Sequence, residues 1–71
     1  MRVTPGRCLL RQLLTQRGMT QAQLADRMGV AEQKISNYVN GQAKMGYATA
    51  LTIAYILGVH AEDLYEQIIE R

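Results

Sequence analysis

The sequence lacks most of the devices that small folds lean on. It has one cysteine, Cys8, so no disulfide can form within the chain. It has one histidine, His60, and the two together fall short of the four ligands of a structural zinc site. Its one proline, Pro5, stands before any periodic pattern begins. No apolar run approaches the roughly 18 residues of a membrane span. Met1 to Gly6 lead into no long apolar stretch, so no signal peptide is expected and a reducing, cytoplasmic setting is. No carboxylate pair, nucleophile–base pair or phosphate-cradling glycine loop is present, so neither an enzyme nor a cofactor is expected.

What is there reads as one globular domain over residues 1–71, with 48% apolar and 20% charged residues. A chain of this size buries only about 60% of its unfolded surface. With disulfides and metal set aside, stability must come from helix packing, from self-association, or from both. The net charge of +2 hides a split. Residues 1–45 carry seven Arg and Lys against two acids, whereas residues 46–71 carry one cation against four acids. One half can face a polyanion while the other faces away.

Glycines divide the chain into short segments. Between Gly6 and Gly18, Cys8, Leu9, Leu10, Leu13 and Leu14 recur at helical spacing, with arginines on the other faces. Thr20-Gln21-Ala22-Gln23 is a capping box that opens a second helix, with Met19 before it as a staple and Leu24, Ala25 and Met28 inward. A third helix is expected from about Ala31 to Val39, burying Ile35, Tyr38 and Val39, and Asn40-Gly41 closes it. A fourth, Tyr47 to Leu57, is expected to bury Ala50, Leu51, Ile53, Ala54 and Leu57. His60 then caps a fifth, with Leu64, Tyr65, Ile68 and Ile69 on its apolar side. No segment alternates convincingly as a strand. The expectation is an all-α fold of five short helices, the fourth and fifth spanning about residues 47–71.

Thr20 to Gly41 carries the functional signal. Two helices of about eight residues meet at the turn Met28-Gly29-Val30-Ala31. Ala25 is small where the helices must cross closely. Gly29 stands where positive φ is required, and Val30 and Ile35 fill the angle between the helices. This is the pattern of a helix-turn-helix, whose second helix enters the DNA major groove.

With these residues, Thr20-Gln21, Leu24-Ala25, Met28-Gly29-Val30, Ile35-Ser36, Gly41, Ile53-Ala54, Leu57-Gly58-Val59 and Leu64, the chain resembles the Cro/C1-type (XRE-family) helix-turn-helix. The resemblance runs from about Leu10 to Leu64 and implies a compact, five-helix, lambda-repressor-like DNA-binding domain. Two positions depart together. Many members carry an Arg at the position of Leu14 and a Glu at that of Val39, a buried ion pair between the first and third helices. Here both are apolar, as a compensated swap requires, because one partner alone would strand a charge. Ala31 also replaces the Ser or Thr cap usual there, and Met45-Gly46 stands where many members have a Pro followed by a cap.

The resemblance further implies site residues. Glu32, Gln33 and Asn37 occupy the base-facing positions. Gln33 and Asn37 can pair with adenine N6 and N7, and Glu32 can accept from cytosine N4. Thr20 and Gln21 are placed at a phosphate, with Gln21 also buttressing Glu32. Lys34, Asn40, Lys44 and Tyr47 stand at phosphate-contact positions. Arg11 is a further backbone candidate on the first helix, and Arg2 could belong to an arm.

One recognition helix makes few base contacts, so a homodimer on a pseudo-palindromic operator is expected, with half-sites about 34–36 Å apart. Tyr55, Tyr65, Ile68 and Ile69 are the candidate dimer face, being more apolar surface than a lone fifth helix can bury. The reading is a sequence-specific, double-stranded-DNA-binding transcriptional regulator, a repressor, cytoplasmic and nucleoid-associated when bound. Cro-like, restriction-controller-like and antitoxin roles all fit its size. The competing reading is a helix-turn-helix-fold protein-interaction module, antitoxin or anti-repressor-like, favoured by the near-neutral third helix with Glu32 offsetting Lys34.

Overall fold

Helical apolar spacing and capping chemistry produce helices where the sequence places the first four. In a computed structural model describing residues 1–71, the order is β1 (Arg2–Cys8), α1 (Leu10–Gln16), α2 (Gln21–Met28), α3 (Glu32–Val39), α4 (Tyr47–Leu57), a 3₁₀ turn (Ala61–Leu64) and β2 (Tyr65–Glu70). The helices close around Leu10, Leu14, Leu24, Ala25, Ile35, Tyr38, Ile53, Leu57 and Leu64. No polar or charged residue is buried. No helix is long and apolar enough to cross a membrane.

The fifth helix is not formed, and the fold is therefore not all-α. Only its first residues turn, as a 3₁₀ helix in which the His60 N–H donates to the Asp63 carboxylate at 3.0 Å. Tyr65–Glu70 then runs as a strand, antiparallel to Arg2–Cys8. Leu64, Tyr65, Ile68 and Ile69 match helical spacing, but a helix of this length is marginal alone. The N-terminal segment offers a ladder of backbone hydrogen bonds instead. Val3-Thr4 and Ile68-Ile69 are β-branched and suit the pleat, and Pro5 is compatible with an edge strand. The pairs are Arg2 with Glu70, Val3 with Ile69, Thr4 with Ile68, Pro5 with Gln67, and Cys8 with Tyr65. Cys8, expected on the first helix, thus lies on β1 and is half-buried. Burial pushes its thiol pKa up, and a backbone hydrogen bond with Leu10 opposes this only in part.

One extra residue on β1 makes a bulge between Pro5 and Cys8. A Cβ at Gly6 would stand 3.1 Å from Glu66 Cβ and from Ile68 Cδ1, so the bulge places bare backbone where the strands approach. The Arg7 N–H donates to Glu66 Oε1 at 3.1 Å, and the two side chains make an exposed ion pair at 3.7 Å. Such a pair contributes under about 1 kcal/mol. With Arg2 opposite Glu70, the ribbon balances much of its own charge. From Leu10 to Gly46 five cations still stand against two acids, so the basic character of the helical part survives.

Leu51 also departs from expectation: it is 45% exposed. The eleven residues of α4 include no charge and are apolar on several sides, so periodicity could not single out its buried face.

Leu14 and Val39 are both accommodated as apolar residues at the core. Leu14 is only 3% exposed, and Val39 packs against the same cluster from the end of α3. Leu14→Arg alone should destabilise the protein by several kcal/mol in urea denaturation, because it leaves an unpaired charge among leucines. Adding Val39→Glu should recover part of the loss, and a double-mutant cycle with no coupling would refute the pairing.

Candidate nucleic-acid interface

The interface is assembled by the α2–turn–α3 unit. Thr20 Oγ1 accepts from the Gln23 N–H at 3.1 Å, and Gln23 Oε1 accepts from the Thr20 N–H at 2.9 Å, completing the capping box. Met19, just before it, packs against the core. At the other end Gly29 takes φ 70°, ψ 32°, and the Val30 N–H donates back to the Ala25 carbonyl at 3.0 Å. A left-handed residue is costly for any side chain, which is why glycine ends this helix. Ala25 is buried where α2 and α3 pack together. Ile35 and Tyr38 anchor α3 to the core, so its opposite face turns outward.

That outward face carries the expected base-reading residues. Glu32 and Gln33 are exposed and Asn37 is half-buried. Gln33 Nε2 donates to Asn37 Oδ1 at 2.9 Å, an i,i+4 pair along the helix. Lys34 is exposed beside them. Farther along, Asn40 Nδ2 donates to Ser36 Oγ at 3.2 Å and Asn40 Oδ1 accepts from Arg11 Nη2 at 3.2 Å. Asn40 therefore ties Arg11 of α1 to the end of α3. Sequence reasoning named Arg11 and Asn40 separately and missed Ser36. The i,i+4 spacing of Ser36 and Asn40 was the available signal.

The loop after α3 folds back onto it. The Asn37 carbonyl accepts from the Gln42 and Ala43 N–H groups at 2.9 and 3.2 Å. This sets exposed Lys44 in a shallow cleft shared with Asn40 and Arg7. Lys44 and Tyr47 share a second cleft, and Tyr47 is 77% exposed at the start of α4. Thr20 and Gln21 sit at the start of α2, exposed and half-buried respectively, but no hydrogen bond joins Gln21 to Glu32, so the expected buttress is not formed.

The candidate dimer residues do not form one face. Tyr55 is 90% exposed on α4, four residues after exposed Leu51 and eight after Tyr47. Ile68 and Ile69 are exposed on β2, where consecutive side chains point to opposite sides of the ribbon. A helix would have placed them closer together. Tyr65 is half-buried, packs against the core and accepts from the Met45 N–H at 3.2 Å. It is a brace between the ribbon and the Lys44 loop rather than part of an outer face.

The comparisons agree with this geometry. A family model described as helix-turn-helix matches residues 10–64. The chain is 36% identical over 72 residues to an SPbeta prophage-derived, uncharacterized HTH-type transcriptional regulator, YopS, of Bacillus subtilis (strain 168), covering 99% of this chain and 96% of that one. It superposes on the crystal structure of the transcriptional regulator VanUg with a TM-score of 0.68 at 23% identity, covering 97% of this chain and 88% of the other. That likeness bears on the fold.

Ala31 precedes α3 in extended geometry (φ −70°, ψ 144°) and offers no side-chain cap. Ala31→Ser should therefore raise stability by about 1 kcal/mol, seen as a higher urea midpoint with an unchanged slope. An unchanged or lowered midpoint would show that the start of α3 is not limited by its missing cap.

Proposed function

The chain belongs to the helix-turn-helix family, and on that premise we propose that it is a sequence-specific, double-stranded-DNA-binding transcriptional regulator that represses from a pseudo-palindromic operator as a homodimer. The observation that carries this reading is the outward face of α3. Glu32, Gln33, Lys34 and Asn37 lie there with hydrogen-bonding groups available to base edges, on a helix held to the core by Ile35 and Tyr38. Lys34, Lys44, Asn40 with Arg11, Thr20, Gln21 and Tyr47 would hold the phosphates on either side. These contacts position the protein, whereas the α3 face specifies the site.

Dimerisation follows from the economy of one short recognition helix. The exposed Leu51 and Tyr55 on uncharged α4 are the first surface for it, and the exposed Ile68 and Ile69 of the ribbon are the second. Protein of this kind would act in the cytoplasm and reside on the nucleoid when bound.

A protein-interaction role for the same face is the second reading. It is favoured by Glu32, an exposed acid in the first turn of α3 that repels phosphate. The two readings separate on charge. For a DNA binder, Lys44→Ala should weaken binding on all sequences and lower the slope of log K against log salt by about one per subunit. For an interaction module the same change leaves function intact.

Selection from a random duplex library at low salt tests the main reading. The expected product is an inverted repeat with half-site centres about 34–36 Å apart. Tyr55→Glu should leave the helical circular-dichroism spectrum unchanged, since Tyr55 is 90% exposed in the folded chain. It should lower the sedimentation-measured dimer fraction and operator affinity together. Failure to enrich any sequence would overturn the operator-binding reading.

A further inference from the structure

We propose that Arg7 is a further contact to the DNA phosphates, and that Glu66 holds its charge until DNA displaces it. This rests on the DNA-binding reading above and adds to it a residue of the ribbon. Arg7 and Glu66 both lie outside the helix-turn-helix segment, residues 10–64. The contact therefore belongs to what this chain adds around its helices.

The backbone sets where Arg7 stands. It is the next-to-last residue of β1, within the bulge between Pro5 and Cys8. The chain is tied down just after it: Cys8 pairs with Tyr65, and the Leu9 N–H donates to the Leu64 carbonyl at 2.8 Å. Arg7 is thereby carried to the end of α3. It lines one cleft with Asn40 and Lys44, and a second with Arg11 and Val39. No acid lines either cleft. Three cations from three elements, β1, α1 and the loop after α3, thus converge on the end of the helix whose outward face carries Gln33 and Asn37. Like charges gathered in this way attract a polyanion, and their place beside that face suits the DNA backbone.

Glu66 restrains part of this charge. Its Oε2 stands 3.7 Å from Arg7 Nη2, the one ion pair in the chain, so Arg11 and Lys44 have no such partner. The two side chains are 70% and 46% exposed, so water screens the pair and it holds weakly. An arginine–phosphate contact is charge-assisted, is often bidentate and releases counterions from the DNA. The guanidinium can therefore pass from the carboxylate to a phosphate. The strand need not move, because Glu66 Oε1 accepts from the Arg7 backbone N–H at 3.1 Å. Glu66 thus fixes the Arg7 backbone and competes with DNA for its side chain.

Anisotropy titrations of the full chain on a mixed-sequence duplex, over a series of salt concentrations, test this, because phosphate contacts need no particular sequence. Arg7→Gln should weaken binding and lower the slope of log K against log salt by about one per subunit. Glu66→Gln should strengthen binding by up to about fivefold per subunit, and its amide oxygen can still accept from the Arg7 N–H. That gain should vanish in the Arg7→Gln background. Glu70→Gln removes the same charge from β2 at a residue with no ion pair, and it should gain less. A gain of binding cannot arise from a damaged fold, so Glu66→Gln decides the matter even if Arg7→Gln loosens the ribbon. An unchanged salt slope in Arg7→Gln would overturn the proposal. So would a Glu66→Gln gain that persists without Arg7 or is matched by Glu70→Gln. If the wild type binds no duplex at low salt, the DNA-binding reading falls and this one with it, a result distinct from an unchanged slope.

Discussion

The crossing of α2 over α3 is the constraint on which the rest of the interface depends. Leu24 and Ala25 from one helix and Ile35 from the other share a single apolar cluster, and the turn between them is made by a left-handed Gly29. A larger residue at position 25 would push the helices apart. A strained one at position 29 would change the direction in which α3 leaves. Either change would re-aim Glu32, Gln33, Lys34 and Asn37 together, because all four are carried by α3. The polar face inherits its geometry from apolar side chains that never meet DNA. Such an arrangement lets surface residues vary while the scaffold stays fixed.

Much of that scaffold was legible because its signals are local. The capping box at Thr20 and Gln23, the glycine after α2 and the i,i+3,i+4 leucines each act within a turn or two of chain. The ribbon was not, because its determinants lie at opposite ends of the sequence. Tyr65 to Glu70 carries a helical spacing, and only the presence of Arg2–Cys8 alongside converts it to a strand. The Arg7–Glu66 contact joins residues 59 positions apart. No window along the sequence contains both partners.

The candidate interface divides in the same way. Which residues face outward on α3 followed from the buried positions of Ile35 and Tyr38. How the outward side chains bond to one another did not. The Gln33–Asn37 and Arg11–Asn40–Ser36 contacts need coordinates, because spacing permits such bonds without requiring them. Tyr65 shows the converse: assigned to an outer face by its helical spacing, it serves instead as a hydroxyl acceptor for the loop that carries Lys44. The uniformly apolar α4 gave too strong a signal to discriminate, and Leu51 was assigned inward when its place is beside Tyr55.

The long separation of the two strands has a kinetic side. Helices that draw on neighbouring residues form fast, whereas pairing β1 with β2 closes a loop around the whole helical body and loses chain entropy before any ladder bond is gained. The ribbon should therefore assemble late and open early. Its amides should exchange with solvent by local separation of the strands, at a free energy below that of global unfolding. The chain ends can thus come apart and re-pair while α2 and α3 keep their crossing. Whatever the ribbon touches is governed by an equilibrium of its own.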